Sequence, residues 1–574
     1  MKYLFIYFLS FFALAGNAFG EVDSIYNSLS LNPIEKANQE IENTKVIFKN
    51  PIEDVDTNLA SFEHLLAVFN DFKQFDLPFV KNLLDKVKSE ETLSGAELFA
   101  LRRTITVYYK INKKILDFAR VYDLGEFKMS KTFSDEDHNI PMIKAHLIWL
   151  TGHLVVLDHL EGMHHLIYEN DGVFRRIVKS ALKDKSDTTE GESKTINDLI
   201  KINKYTVDIG ESLKFTQQIN LVRAISNDLK EILNEDQNNT TSLIDTIIDS
   251  PTSIKMAQGK INFTISHFFL VDTVVNVYDK VTGWLSKIFG NLAGSIRTRN
   301  GYLYNNSLLS QSLKKQLRPM DILLEKSPFT LTDKFIPGHY GHVAVYLGTK
   351  EQLIEIGMWN HPDILPYQED ISNGKIILEA VRTGVHLNSL EEFLNIDEFT
   401  LMRKEDALTN PSLLIEQVTR GMDQIGKAYD FNFDITTLDK IVCSELVYIV
   451  FGNTNWPTKY RMGRASITPD DVAEILFQKN TKYHIKNFLV SKSEDKIESV
   501  GIDYIADELE FELRTSNGDP VSDREDKSNS YWKKITKCYT VEDNSHSNDG
   551  SNNLGRRNCN TTYKEYYYEE RETI

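Results

Sequence analysis

The sequence predicts an α+β protein in which a mostly helical part, residues 21–300, precedes a mixed strand-and-helix part, residues 301–490. Two observations carry that expectation. Ser94-Gly-Ala-Glu97 is a capping box, and after it Leu98, Leu101, Ile105, Tyr108, Ile111, Ile115, Phe118 and Tyr122 fall on one helical stripe. Arg102, Arg103, Lys110, Lys113 and Lys114 lie mostly off it. Residues 342–347 have the other period: His342, Ala344 and Tyr346 face one way, Val343, Val345 and Leu347 the other, and Gly348 ends the run.

An apolar stripe of that length needs other helices to cover it. Segments near 55–75, 140–169, 197–233 and 252–290 are the partners, separated by polar breaks at 183–190 and 234–241, so this part reads as a helical bundle. One of its helices is crowded with His146, His153, His159, His164 and His165. Three of these are spaced to share a face, but close ligand pairs of the His-Glu-x-x-His kind are missing, and neither a metal nor a cofactor is predicted. The aromatic-rich segment 261–271, with 284–289, reads as a core or interdomain helix, with a membrane-surface helix as the runner-up.

In the mixed part, Cys443 sits where a loop gives way to Leu446-Val-Tyr-Ile-Val-Phe451, an apolar helical run. Its sulfur is expected at a helix N-terminus, where the dipole favours a thiolate. His342, 101 residues earlier, opens the alternating strand. A second strand, Lys375-Ile-Ile-Leu-Glu-Ala-Val381, is apolar except for Glu379, and a carboxylate there needs a partner. If the two strands pair, Glu379 can hold one imidazole nitrogen while the other takes the thiol proton. The roles are then Cys443 nucleophile, His342 base and Glu379 orienter, with Glu355 in Gln352-Leu-Ile-Glu-Ile-Gly357 as the competing carboxylate. His339 and His386, each near a strand end, are read as bystanders. Asn410-Pro-Ser through Gly426 reads as a scaffold helix with an Asn cap, Pro at its first position and Gly past its end.

Five blocks in order, Asp321-Ile-Leu-Leu324, Gly341–Gly348, Ile377-Leu-Glu-Ala380 with Gly384–Phe393, Gly426–Asp434 and Val442–Tyr448, resemble the YiiX/YebB-like branch of the permuted papain-fold, NlpC-type cysteine hydrolases. The resemblance covers about residues 315–490. It implies a papain-like catalytic domain with histidine before cysteine, the order a circular permutation produces. It further implies that the loop Ala428–Asp434 walls the active site and that Tyr429 helps hold an oxyanion beside the Cys443 N–H. Many relatives begin the first block Gly-Asp where this chain has Met320-Asp321.

Residues 1–20, one lysine followed by an apolar stretch and then Ala18-Phe-Gly20, read as a secretory signal cut before Glu21. No later run reaches a membrane-spanning length free of charge, so the mature protein is expected to be soluble, and periplasmic or secreted. Residues 491–574 form a C-terminal extension, predicted to be disordered from about 540, where Ser, Asn and Asp are dense. Cys538 and Cys559 can pair in an oxidising compartment, leaving Cys443 as the odd thiol. A net charge of −18 argues against nucleic acid as a partner and disfavours an electrostatic hold on anionic lipid, though not a hydrophobic one. Two functional readings follow. The first is an exported hydrolase acting on a peptidoglycan peptide or an acyl lipid or N-acyl amide; the second is a non-enzymatic envelope binder whose papain-like domain is a scaffold. The sequence sets no oligomeric state.

Overall fold

The computed structural model describes residues 32–45, 50–89, 91–123, 139–167, 172–181, 205–210, 212–234, 241–260, 297–330, 338–430, 435, 438–461, 464–478, 480–493, 496–515, 517–521, 530–535, 539–540 and 557–558. The expected signal segment, the aromatic segment 261–289, Cys538 and Cys559 lie outside them. The chain divides into two units. One takes Met1–Leu285 with the short excursion Thr436–Lys440, the other Ser286–Ile435 and Ile441–Ile574.

The first unit is helical: α1 (Asn32–Asn43), α2 (Val55–Lys88), α3 (Gly95–Val121), α4 (Ile140–Ile167), α5 (Gly172–Ala181), α6 (Leu213–Ala224), α7 (Ser226–Asn234), α8 (Thr241–Asp249) and α9 (Pro251–Ala257). The capping box forms as the sequence predicts, Ser94 Oγ accepting from Glu97 N–H and the Glu97 carboxylate accepting from Ser94 N–H, a contribution of about 1 kcal/mol. Every residue of the predicted stripe from Leu98 to Tyr122 is buried, and each such aliphatic or aromatic side chain contributes about 2 kcal/mol. Helix α4 packs on α2 and α3. Residues Ile140–Met163 are long and apolar enough by composition to cross a membrane, but 83% of the window is buried inside the protein, and we read α4 as the central helix of this unit.

Of the α4 histidines, His146, His153 and His159 each have their own partner. His159 is fully buried, with Nε2 2.8 Å from Asp76 Oδ2 and Nδ1 against the Asn112 amide. His146 meets Gln218 Oε1 at 3.1 Å, while His153 Nδ1 donates to its own helix at Trp149 O, 2.8 Å away. Among the described residues no group of three potential ligands could hold a metal.

The second unit is built on a seven-stranded antiparallel sheet in the order β11-β10-β5-β1-β2-β3-β4. Its strands are β1 (Asp321–Lys326), β2 (His342–Tyr346), β3 (Lys375–Val381), β4 (Gly384–Ser389), β5 (Glu398–Lys404), β10 (Tyr483–Ser493) and β11 (Lys496–Ser499). Short two-stranded pairs add β6 (Ala428–Tyr429) with β7 (Lys440–Ile441), β8 (Lys459–Arg461) with β9 (Arg464–Ser466), β12 (Phe511–Thr515) with β13 (Ser530–Lys534), and β14 (Tyr539–Thr540) with β15 (Arg557–Asn558). The predicted strands at 342 and 375 are neighbours, with Val345 opposite Leu378 and Tyr346 opposite Ile377. Helix α10 (Pro411–Gln424) starts as expected, the Asn410 side chain accepting from Leu413 N–H. Helix α11 (Cys443–Val450) packs on β2 and β3 with all eight residues buried.

Met320 has φ +66°, the left-handed region that favours glycine, and so accounts for the Gly-Asp of the family pattern. The turn keeps its geometry because Asp321, directly after it, is locked: its carboxylate takes Arg403 Nε at 2.6 Å and Nη2 at 2.7 Å and accepts from Arg318 N–H at 2.7 Å. Burial raises the Asp321 carboxyl above its ordinary range, against the pull of Arg403.

Candidate active site

Cys443 is the first residue of α11. Val442 before it is extended (φ −96°, ψ 171°), and the helix start is closed by the Glu445 carboxylate, which accepts from Val442 N–H at 2.9 Å. The apolar run behind it is buried against the sheet, so the cysteine is delivered by a rigid element. Cys443 is itself buried, 3% exposed as a residue, and is the free cysteine among the described residues.

Across from it His342 opens β2. Its Nε2 lies 2.9 Å from Glu379 Oε2, which leaves Nδ1 for the Cys443 sulfur, the neighbour that acts most strongly to raise the ring's pKa. Burial alone would push the imidazolium down. The negative sulfur of Cys443, and after it the Glu379 carboxylate, outweigh burial and raise the His342 pKa well above its ordinary value. Burial pushes Glu379 up, but the His342 ring and the Asn388 amide, whose Nδ2 donates to Oε1 at 2.7 Å, hold it below the usual carboxylate range. Glu379 and Cys443 therefore both favour a protonated His342 ring, the partner a cysteine nucleophile uses.

Tyr429, on β6 at the mouth of the loop before α11, is half-buried. Burial, then the negative charges of Cys443, Glu445 and Asp430, raise its pKa well above the ordinary phenol value, so its hydroxyl stays a donor. Glu355, the competing carboxylate, is exposed at the last residue of its helix, and it is Glu379 that meets the imidazole. His386, opposite Glu379 across β3 and β4, has Nε2 3.9 Å from Glu379 Oε1 and a side chain 42% exposed.

Three further contacts were not anticipated from the sequence. Asn388 faces Glu379 because two residues along β4 from His386 return to the same side of the sheet, a signal present in the alternation. Ser444 Oγ donates to Ile467 O at 2.6 Å, tying the helix start to the segment before Asp470. His339 is not a solvated bystander: its side chain is 7% exposed, and each ring nitrogen meets a carboxylate.

Fold and geometry together define a papain-like cysteine hydrolase domain with its histidine before its cysteine in the chain. Residues 316–499, about a third of the chain, match the family model described as permuted papain-like amidase enzyme, YaeF/YiiX, C92 family. No curated protein and no solved structure matches the chain.

Proposed function

We propose that the protein is an exported cysteine hydrolase that opens an amide or ester bond through an acyl-enzyme on Cys443. The observation carrying this reading is the His342 ring, hydrogen-bonded to Glu379 through Nε2, with Cys443 as the neighbour that most raises its pKa. In the first half-reaction the thiolate attacks the carbonyl carbon, a C–S bond forms, and the carbonyl electron pair moves to oxygen. The oxyanion accepts from the Cys443 N–H at the start of α11 and from the Tyr429 hydroxyl. His342 then passes its Nδ1 proton to the leaving nitrogen or oxygen as that bond breaks, and the acyl group stays on sulfur. Water attacks the thioester, His342 takes its proton, and the thiolate departs. Glu379 keeps the ring oriented throughout and stabilises the imidazolium.

The candidate substrates are a peptidoglycan peptide or an acyl lipid or N-acyl amide. The periplasmic or secreted location is supported by the lysine, apolar core and Ala18-Phe-Gly20 of the first 20 residues. Peptide mass spectrometry after exposure to muropeptides, phospholipids and N-acyl amides tests the reading. An acyl mass on the Cys443 peptide, absent from Cys443→Ala, is expected. Turnover without an adduct, and undiminished in Cys443→Ala, refutes it.

A further inference from the structure

Residues beyond 499 lie outside the family segment, yet the described part of the extension is built into the catalytic unit. Helix α12 (Ile502–Glu508) and the β12–β13 hairpin dock through Phe511 stacked on Phe477 at 4.3 Å, Trp532 edge-on to Phe477 at 5.5 Å, Tyr504 edge-on to Phe488 at 5.4 Å, and the Lys534–Glu474 ion pair. The last residue of α12, Glu508, reaches the turn Gly338-His-Tyr-Gly341 that leads into His342.

That turn has an unusual burden. Strand β3 pairs with β2 at Val345 and Tyr346, so at His342 the strand is laddered on one side, where β1 supplies Glu325. The ring's position therefore depends on how the preceding turn is held. From within, Asp470 accepts from His339 N–H and Tyr340 N–H, both at 2.8 Å, and the Tyr340 hydroxyl meets Thr400 Oγ1 at 2.9 Å. Gly338, φ +124°, is needed there, since a Cβ would lie 2.1 Å from Asp470 Oδ2. From the outside the turn is held by the His339 ring, with Nε2 2.9 Å from Glu398 Oε2 on β5 and Nδ1 3.1 Å from Glu508 Oε2. The Nε2 contact with Glu398 is a hydrogen bond, and Glu508 sets a second carboxylate within ion-pair distance of Nδ1, so the ring is held between two acceptors from opposite sides.

We propose that Glu508, acting through His339, is a positioning residue for His342, so that the extension beyond residue 499 completes the catalytic centre. The inference rests on the cysteine-hydrolase reading above. Glu508 is the more exposed of the two carboxylates, 42% against 13% for Glu398, which makes it removable without disturbing the core.

The test uses the full chain and two probes of Cys443, followed by peptide mass spectrometry: the iodoacetamide alkylation rate against pH, and acylation by p-nitrophenyl butyrate. Glu508→Ala should slow acylation about tenfold, as a sub-ångström misplacement of a catalytic group does, and move the acid limb of alkylation to higher pH. Its melting temperature should stay within a degree of wild type. Glu508→Gln, which keeps an acceptor oxygen and the side-chain length at this position, should recover most of the rate, and Glu512→Ala on β12 should match wild type. Glu508→Ala indistinguishable from wild type in both probes overturns the proposal. So does a loss shared equally by Glu508→Ala and Glu508→Gln with a lowered melting temperature, which marks a merely structural contact. If wild-type alkylation shows no limb that His342→Ala removes, the hydrolase reading fails and takes this one with it.

Discussion

Mild acid should loosen the helical unit through two histidines that have no part in the candidate active site. His146 and His153 are buried on α4 around Trp149, and burial lowers each from 6.5 to about 4. At His146 the Gln218 oxygen opposes the effect and Lys214 adds to it; at His153 the Trp149 carbonyl and Asp123 oppose it and Arg120 adds to it. Protonating His153 would also place an N–H at Nε2, a buried atom with no partner among the described residues. The sign follows from proton uptake: between pH 6.5 and 4 the unfolded chain binds protons that the folded chain refuses, so stability falls as the pH falls through that window. Each histidine then removes about 2 kcal/mol at pH 5 and about 3 kcal/mol well below pH 4, at about 1.4 kcal/mol per pH unit of separation. The pair removes roughly 4 kcal/mol at pH 5, a large part of the 5–15 kcal/mol that stabilises an ordinary domain. Hydrogen exchange read by mass spectrometry on peptides from residues 140–160, corrected for intrinsic rates, measures the opening free energy at pH 7.5 and 5. The double variant His146→Gln/His153→Gln should lose most of the difference between the two values. An unchanged opening free energy in wild type, or an equal difference in the double variant, refutes the reasoning.

The other expectations concern the catalytic unit. Cys443→Ala should abolish acylation and thiol labelling with little change in melting temperature, His342→Ala should be nearly as inactive, and Glu379→Gln should retain more activity than His342→Ala, because orienting the base is the smaller task; a Glu379→Gln variant as active as wild type would remove the orienter from the scheme. Asn388→Asp should be slower in acylation than Asn388→Ala, since it sets a second carboxylate against Glu379, and the reverse order would mean that Asn388 does not hold Glu379. Met320→Gly relieves about 1 kcal/mol of left-handed backbone strain but gives up about 2 kcal/mol of burial, so a small net destabilisation is expected in urea titrations; a stabilised variant would show that strain dominates. The raised His342 pKa contributes stability that is full below the ordinary histidine value and is lost as the pH rises through the raised one. Cys443→Ala removes the largest cause of that rise, so its urea midpoint should fall less than that of wild type on the alkaline side.

What the sequence made legible was local. The Ser94 capping box, the stripe from Leu98 to Tyr122, the alternation at His342 and the Asn410-Pro411 helix start each depend on residues within a few positions of one another, and each appears in the fold. Pairing of the His342 and Glu379 strands was reachable because one carboxylate in an apolar strand has few ways to be satisfied. Contacts that join distant segments left no such trace. Asp470 lies 131 residues from His339, and Glu508 lies beyond the segment in which chemistry was sought. A histidine near a strand end looks the same in sequence whether water or two glutamates surround it, and so the carboxylates around His339 were not legible. The residue before Asp321 is the opposite case: the family pattern marks a turn there, and Met320 adopts it at a cost in backbone strain that the Asp321–Arg403 pair helps to hold.

The position of the nucleophile relative to the base is set by two routes of different kind. One is apolar and general: α11 lies on β2 and β3, and any well-packed helix would fix Cys443 to within the tolerance of close packing. The other is polar and specific, running from Ser444 Oγ to Ile467 O, three residues along to Asp470, and from its carboxylate to the N–H groups of His339 and Tyr340. Catalysis asks more of the second route than of the first. Cys443 and Glu379 together outweigh burial at the His342 ring, and the hydrogen bond that Glu379 makes with it weakens steeply with misalignment. A displacement that apolar packing would absorb is enough to upset that balance. The turn before His342 is fixed by Asp470 within and by Glu398 and Glu508 without, and it adjoins the residue on which the chemistry depends, at the end of β2 that β3 does not ladder.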